Sequence, residues 1–217
     1  MLPGMGRPAN ANAAETKRRI LESAAGLFAE QGKLASMRTV ASAAGVSLGT
    51  LHLHFGSKQG LYDACIDAMD EQFGGLAAEL VAAGRSGGSL DEIVESVVRR
   101  AYAFAREHEL AVRLTTRDAV DRGHMDPIRR AMILPEIGEG AELLSQMIGA
   151  PVERLRVLIR SVAHLVVRYA LTEPRELSLV LGWDPERTTA QAAHAAIADH
   201  LVFTTRTMLS ALQTEDG

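Results

Sequence analysis

Cysteine occurs once in the 217 residues, at Cys65. A single cysteine excludes a disulfide framework or a cysteine-rich zinc site within one chain. Lysine is scarce: only Lys17, Lys33 and Lys58 are present, all in the first 60 residues. The opening stretch, MLPGMGRPANANAAE, lacks an apolar core of signal-peptide length. No run approaches the roughly 18 apolar residues of a membrane span. The chain is therefore expected in the cytoplasm, away from membranes. No internal repeat, low-complexity tract or alternating strand pattern is present. The glycine pairs do not form a phosphate-binding loop, and no nucleophile–base–acid set is visible in the sequence. Of the seven histidines, His52 and His54 diverge on a short helix, and His194 and His200 are six apart. His108-Glu109 lacks the second histidine of a zinc-hydrolase motif. No metal and no cofactor is expected. Cys65 lies on an apolar helix face, where a thiol is ordinarily inert.

What is present is an ordinary globular composition, 47% apolar and 23% charged, with a net charge of −4. The charge is unevenly spread. Residues 1–60 hold seven Lys+Arg against three Asp+Glu, and the remainder is acidic. A basic module on an acidic body suits an electrostatic contact at one end of the chain.

The stretch Ser36 to Phe55, SMRTVASAAGVSLGTLHLHF, organises the rest. Ser36 is a good N-cap, and Val40, Ala43 and Ala44 share a helical face. Gly45 ends that helix, since glycine alone enters the left-handed region without a Cβ penalty. Ser47 then caps a second helix from Leu48 to about Phe55, with Leu51 and Phe55 facing inward. Two helices around a glycine turn make a helix-turn-helix, whose second helix enters the DNA major groove.

Around this motif the chain reads as all-α, with about nine or ten helices. Residues 1–11 form an expected mobile arm, with Arg7 free to reach a phosphate or the solvent. Asn12 and Glu15 resemble a capping box opening a first helix that ends at Gly32. Lys17 and Arg18 near its start are either phosphate contacts or solvated charges. Ser57 caps a fourth helix, which Gly74-Gly75 either bends or interrupts. Ser89 and Glu92 form a capping box for the next helix. A further helix runs from Leu110 to about Asp121. Asp126-Pro127 opens another, which Pro135 is expected to kink or break. A long helix carries Leu155 to Tyr169, and Pro174 to Gly182 is a short element. Asp184-Pro185 is expected to open a final helix reaching about Leu212. The domain reading is an arm at 1–11, a helix-turn-helix domain at 12–60 with its motif at 36–55, and a helical body at 61–217.

Ala44, Gly45, Val46, Ser47, Gly49, Leu51, His54, Phe55, Ser57, Lys58 and Leu61 follow, in register, the pattern of the TetR family of bacterial transcriptional regulators. The resemblance covers roughly Thr16 to Tyr62. It implies an N-terminal three-helix DNA-binding domain and a C-terminal bundle for effector binding and dimerisation. Cap geometry and family position together nominate Ser36, Arg38, Thr39, Ser47, Leu48, Gly49, Thr50, His52, Leu53, His54 and Lys58 as DNA contacts. Hydroxyls and helix N-termini suit phosphates, Arg38 a phosphate or guanine edge, and Leu48 a thymine methyl. His52 stands where the family usually has a phosphate-contacting tyrosine.

The resemblance also implies a homodimer through the last two long helices and a small-molecule effector of unknown identity. The sequence supports the first: Ala190, Ala192, Ala193, Ala195, Ala196 and Ala198 leave one helix nearly bare for close approach. Candidate effector contacts are the aromatic and polar residues on otherwise apolar helices: Tyr102, Phe104, Arg113, Arg117, Met125, Met147, His164, Arg168, Tyr169 and Trp183. The functional expectation is a ligand-responsive repressor on a palindromic double-stranded DNA operator, and not an enzyme. Control by a protein partner, or a helical enzyme with an incidental motif, are the alternatives.

Overall fold

The computed structural model describes residues 9–214. Residues 1–8 of the expected arm, including Arg7, lie outside the described residues. Among the described residues there are ten α-helices, one short 3₁₀ turn and no strand, the all-α class that the sequence pattern predicts. The chain divides into two compact units: Met1–Glu71 with Arg113–His124, and Gln72–Val112 with Met125–Gly217.

The first unit contains α1 (Ala9–Gln31), α2 (Met37–Ala43) and α3 (Leu48–Phe55), the first half of α4 (Lys58–Arg85), and most of α6 (Glu109–Arg122). Its short helices cannot stand alone, because helices under about 12 residues are marginal in water. They are held by a shared core. Ile20, Ala24, Val40, Leu51, Leu61, Cys65 and Leu114 are fully buried, and Phe28 is 1% exposed. Each large apolar side chain buried there contributes roughly 1.5–3 kcal/mol. Phe28 meets Tyr62 edge-on, with ring centroids 5.1 Å apart. The Tyr62 hydroxyl donates to Asp118 Oδ1 at 3.1 Å, and Arg122 Nε donates to the same oxygen at 2.9 Å. That bond ties α4 to α6 across 56 residues of sequence. Burial and the Asp118 carboxylate push the Tyr62 phenol up to about 12.

The second unit contains the remainder of α4, α5 (Leu90–Glu107), α7 (Pro127–Ile148), α8 (Val152–Ala170), α9 (Pro174–Val180) and α10 (Ala190–Thr214). Ser89 caps α5 with the full reciprocal box: its hydroxyl accepts from the Glu92 N–H, and the Glu92 carboxylate accepts from the Ser89 N–H. Val98, Leu155, Leu177, Ile197, Leu201 and Leu209 anchor the core. The Tyr102 hydroxyl and His194 Nδ1 lie 2.7 Å apart within it.

Two expectations need correction, and two open alternatives narrow. Asn12 does not cap α1, which is already helical from Ala9. The Gly74-Gly75 pair does not interrupt α4, which runs unbroken from Lys58 to Arg85. Two glycines cost roughly 1 kcal/mol each against alanine, less than the packing of 28 residues supplies. Pro135 does not break α7. Pro135 and Ala131, four residues before it, are exposed, so water can satisfy the carbonyl that the ring displaces. Asp184-Pro185 does not open the last helix. The Asp184 carboxylate accepts from the Glu186 N–H at 3.0 Å and its carbonyl accepts from the Thr188 hydroxyl. That closes a local turn, and Thr189 caps α10 by accepting from the Ala192 N–H at 3.2 Å.

Candidate nucleic-acid interface and effector cavity

The reading surface follows from two caps built alike. Ser36 Oγ accepts from the Thr39 N–H at 3.0 Å and lies 2.7 Å from the Thr39 hydroxyl. Eleven residues on, Ser47 Oγ accepts from the Thr50 N–H at 3.0 Å and lies 2.8 Å from the Thr50 hydroxyl. Each pair has two hydroxyl protons and uses one between its oxygens. The other is left to donate outward, which suits a phosphate oxygen. Gly45, with φ +65°, makes the turn between the two helices.

From Ser47 to His54 only Leu51 is buried. Leu53 is 85% exposed. Leu48, Gly49, His52 and His54 are exposed, as are Ser36, Arg38 and Thr39, while Thr50 and Lys58 are half-buried. All eleven candidate contacts thus fall in the first unit and none lies in its core.

Two side chains weighed as phosphate contacts are engaged locally. Arg18 is held by Glu15, at 2.7 Å, and by Glu22 on its own helix, which makes it a poor phosphate ligand. His52 Nδ1 lies 2.8 Å from the Gly56 carbonyl. A carbonyl only accepts, so Nδ1 carries the proton there and Nε2 of the neutral ring is left an acceptor. The ring can therefore donate to a phosphate only as imidazolium.

Gly60 was not singled out by its sequence context, yet it seats α4 against the end of α3. A Cβ there would fall 2.3 Å from the Phe55 carbonyl oxygen. The only sequence signal is a glycine in the first turn of a helix, where Ser57 caps by accepting from the Gly60 N–H.

The second unit holds a cavity of about 210 Å³ between α4, α5, α7, α8 and α10. One water needs roughly 10–15 Å³ by this measure, so the space is of ligand size. Its wall is hydrocarbon almost throughout: Leu80, Val81, Val97, Ile137, Leu144, Ile159 and Val162 are representative, and Glu136 and Thr205 are its only residues with polar side chains. Filling apolar space recovers on the order of 24 cal/mol per Å³, a few kcal/mol for a cavity this large.

Of the ten candidate effector residues only Met147 lines this cavity. Tyr102 and Phe104 are buried in the core beside it. Arg113 and Arg117 belong to the first unit, where the Arg117 guanidinium lies over Gly32. Met125 is half-buried at the loop before α7, and Trp183 is 41% exposed after α9. His164 and Arg168 are exposed on α8, and Tyr169 stacks edge-on against His200. Polar residues on apolar helices were the sequence signal, and the cavity has almost none. Its walls look like any core stripe until the gap between them is seen. Among the described residues, no group of three or more His, Cys, Asp or Glu is placed to hold a metal.

Comparison with known proteins agrees with this arrangement. Residues 20–65 match the model of the bacterial regulatory proteins of the tetR family. The HTH-type transcriptional regulatory protein RaaS of Mycobacterium tuberculosis is 28% identical over 176 residues, which cover 69% of this chain and 80% of RaaS. The HTH-type transcriptional repressor KstR2 of Rhodococcus jostii is 36% identical over 80 residues, 36% of this chain and 39% of that protein. A TetR-like transcriptional regulator from Rhodococcus sp. RHA1 superposes with a TM-score of 0.61 at 20% identity, covering 95% of this chain and 99% of its own.

Proposed function

Because the chain is a DNA-binding transcriptional regulator of the TetR family, and not an enzyme, we propose that it acts as a homodimeric repressor released from its operator by a small molecule. The DNA-contacting residues are those of the two capped helices, Ser36, Arg38, Thr39, Ser47, Leu48, Gly49, Thr50, His52, Leu53 and His54, with Lys58 at the start of α4. The functional division proposed is a DNA-binding domain at 12–60 and an effector-binding and dimerisation body at 61–217, although residues 61–71 and Arg113–His124 belong to the first compact unit. The protein works in the cytoplasm, where the operator is. No helix among the described residues is long and apolar enough to cross a membrane.

The observation that carries ligand response is the hydrocarbon cavity. Ala77, Leu80, Val81 and Gly84 of α4 line it, and Lys58 begins the same helix. An effector seated there acts on the helix that presents a phosphate ligand. To release DNA it must bind the DNA-incompetent state more tightly. Dimerisation draws support from α8 and α10, which leave Val157 67% and Phe203 66% exposed beside exposed Ala192 and Ala195. A second copy would cover that face, and small residues permit close helix approach. Two-fold symmetry then requires two half-sites about one helical turn apart, or a multiple.

Genomic footprinting with the purified protein tests the whole reading. A symmetric, palindromic footprint is expected, together with a dimer in sedimentation. An asymmetric footprint from a monomer would overturn the dimer. Footprints that no cavity-binding compound can erase would overturn the effector.

A further inference from the structure

The apolar cavity does not stand alone. A second, more open recess of about 330 Å³ shares Gly84, Ile93, Leu143 and Met147 with it. These four residues form a neck between a hydrocarbon space and a more polar one. The inner space is hydrocarbon. The outer one adds Arg85, Gln146 and the backbone of Gly87 and Gly88.

The outer residues supply several donors, with the Glu92 carboxylate bordering Gly88. Arg85 is paired with Glu139, but a carboxylate engages at most two of the five guanidinium N–H bonds. The Gln146 amide is exposed and offers two more. Among the described residues no group accepts from the N–H of Gly87 or Gly88. Gly87, with φ +81°, turns the chain there and holds that backbone open.

A charged head cannot enter the inner space, since burying an unpaired charge in hydrocarbon is prohibitive. A body without charge can. We infer that the effector is an amphiphile, an aliphatic chain ending in a carboxylate. Its chain fills the inner cavity, and its head passes the neck to meet Arg85, Gln146 and the Gly87–Gly88 amides. This rests on the reading of the cavity as the effector site. The one inner carboxylate, Glu136, makes no hydrogen bond or ion pair among the described residues, and it would favour the opposite head charge. Two features decide for the anion: the polar atoms of Glu136 contribute almost nothing to the cavity wall, whereas Arg85, Gln146 and the Gly87–Gly88 backbone line the adjoining recess.

Three probes with the same tail separate the possibilities: dodecanoate, dodecan-1-ol and dodecyltrimethylammonium. Each is titrated calorimetrically into the full-length chain. Dodecanoate should bind at least tenfold more tightly than either of the others. Arg85→Gln should weaken dodecanoate about tenfold and leave the alcohol unchanged. Gly84→Leu should block the neck, because a Cβ at Gly84 already lies 3.7 Å from Leu143 Cδ1. Should Gly84→Leu fail to fold, Gly140→Leu fills the cavity from α7, where a Cβ lies 3.7 Å from Ile159 Cδ1. Either variant should abolish binding of all three probes. Equal or tighter binding of the alcohol or the ammonium overturns the carboxylate head and leaves the effector site standing. Dodecanoate binding that survives both variants places the ligand elsewhere and overturns the inference, as does binding of no probe. Dodecanoate that binds as described yet never releases the operator supports the ligand chemistry and sinks the regulatory reading instead.

Discussion

The candidate DNA contacts of the first unit lie at the ends of its helices, and the cavity of the second lies between their sides. In the first, α2 and α3 are seven and eight residues long, and their capped N-termini carry the hydroxyls proposed to meet DNA. In the second, α8 and α10 run for 19 and 25 residues, and their termini contribute no side chain to the cavity. A helix end is specified by one or two residues, a cap or a glycine. A cavity is specified by what five helices together fail to fill. Substitutions in the first unit should therefore act locally and sharply, and those in the second should act through volume.

The sharpest break of this contrast compares two leucines on α3. Leu51 is fully buried and Leu53 is 85% exposed. Leu51→Ala should cost about 2–5 kcal/mol and abolish DNA binding. Leu53→Ala should leave stability within about 0.5 kcal/mol and weaken operator binding alone. Chemical denaturation and fluorescence anisotropy read both. If Leu53→Ala destabilised as much as Leu51→Ala, the exposed face would be a packing face.

Two glycines of α4 extend the comparison. Gly60→Ala should destabilise the first unit, because the new Cβ meets a backbone oxygen that cannot swing away. Gly75→Ala meets nothing within 4 Å and should raise stability by about 1 kcal/mol. Opposite shifts in melting temperature are expected, and shifts of the same sign would remove Gly60 from its seating role.

Lys58→Ala should weaken operator binding several-fold for every sequence and lower the slope of log affinity against log salt by about 1. A change in sequence preference instead would move Lys58 from phosphate to base.

The smallest effect is an absence of reaction. Burial pushes the Cys65 thiol up to about 12. Thiolate is the reactive form, so at pH 8 the native protein should not react with a disulfide reagent until it unfolds. Rapid labelling of folded protein would show that the first unit's core opens readily.

Legibility in the sequence follows the same division. Ser36, Gly45, Ser47 and Ser89 act on their immediate neighbours, and the structure uses each as a cap or a turn. Pro135 and Gly74-Gly75 carry equally strong local signals that tertiary packing and solvent access overrode. The return of α6 to the first unit was invisible, because its amphipathic stripe does not name its partner. The bond from Tyr62 to Asp118 does, across 56 residues of sequence. The cavity was missed for a related reason. Val97, Ile137 and Val162 read as core residues, and nothing in their order tells a filled face from an unfilled one.

The glycine pair inside α4 has a consequence for how this protein frays. Neither Gly74 nor Gly75 offers a side chain to shield or brace the backbone around it. Amide hydrogens there should trade with solvent sooner than those a turn away on either side. Under gentle heating a protease with access to unwound chain would make its first cut at that spot.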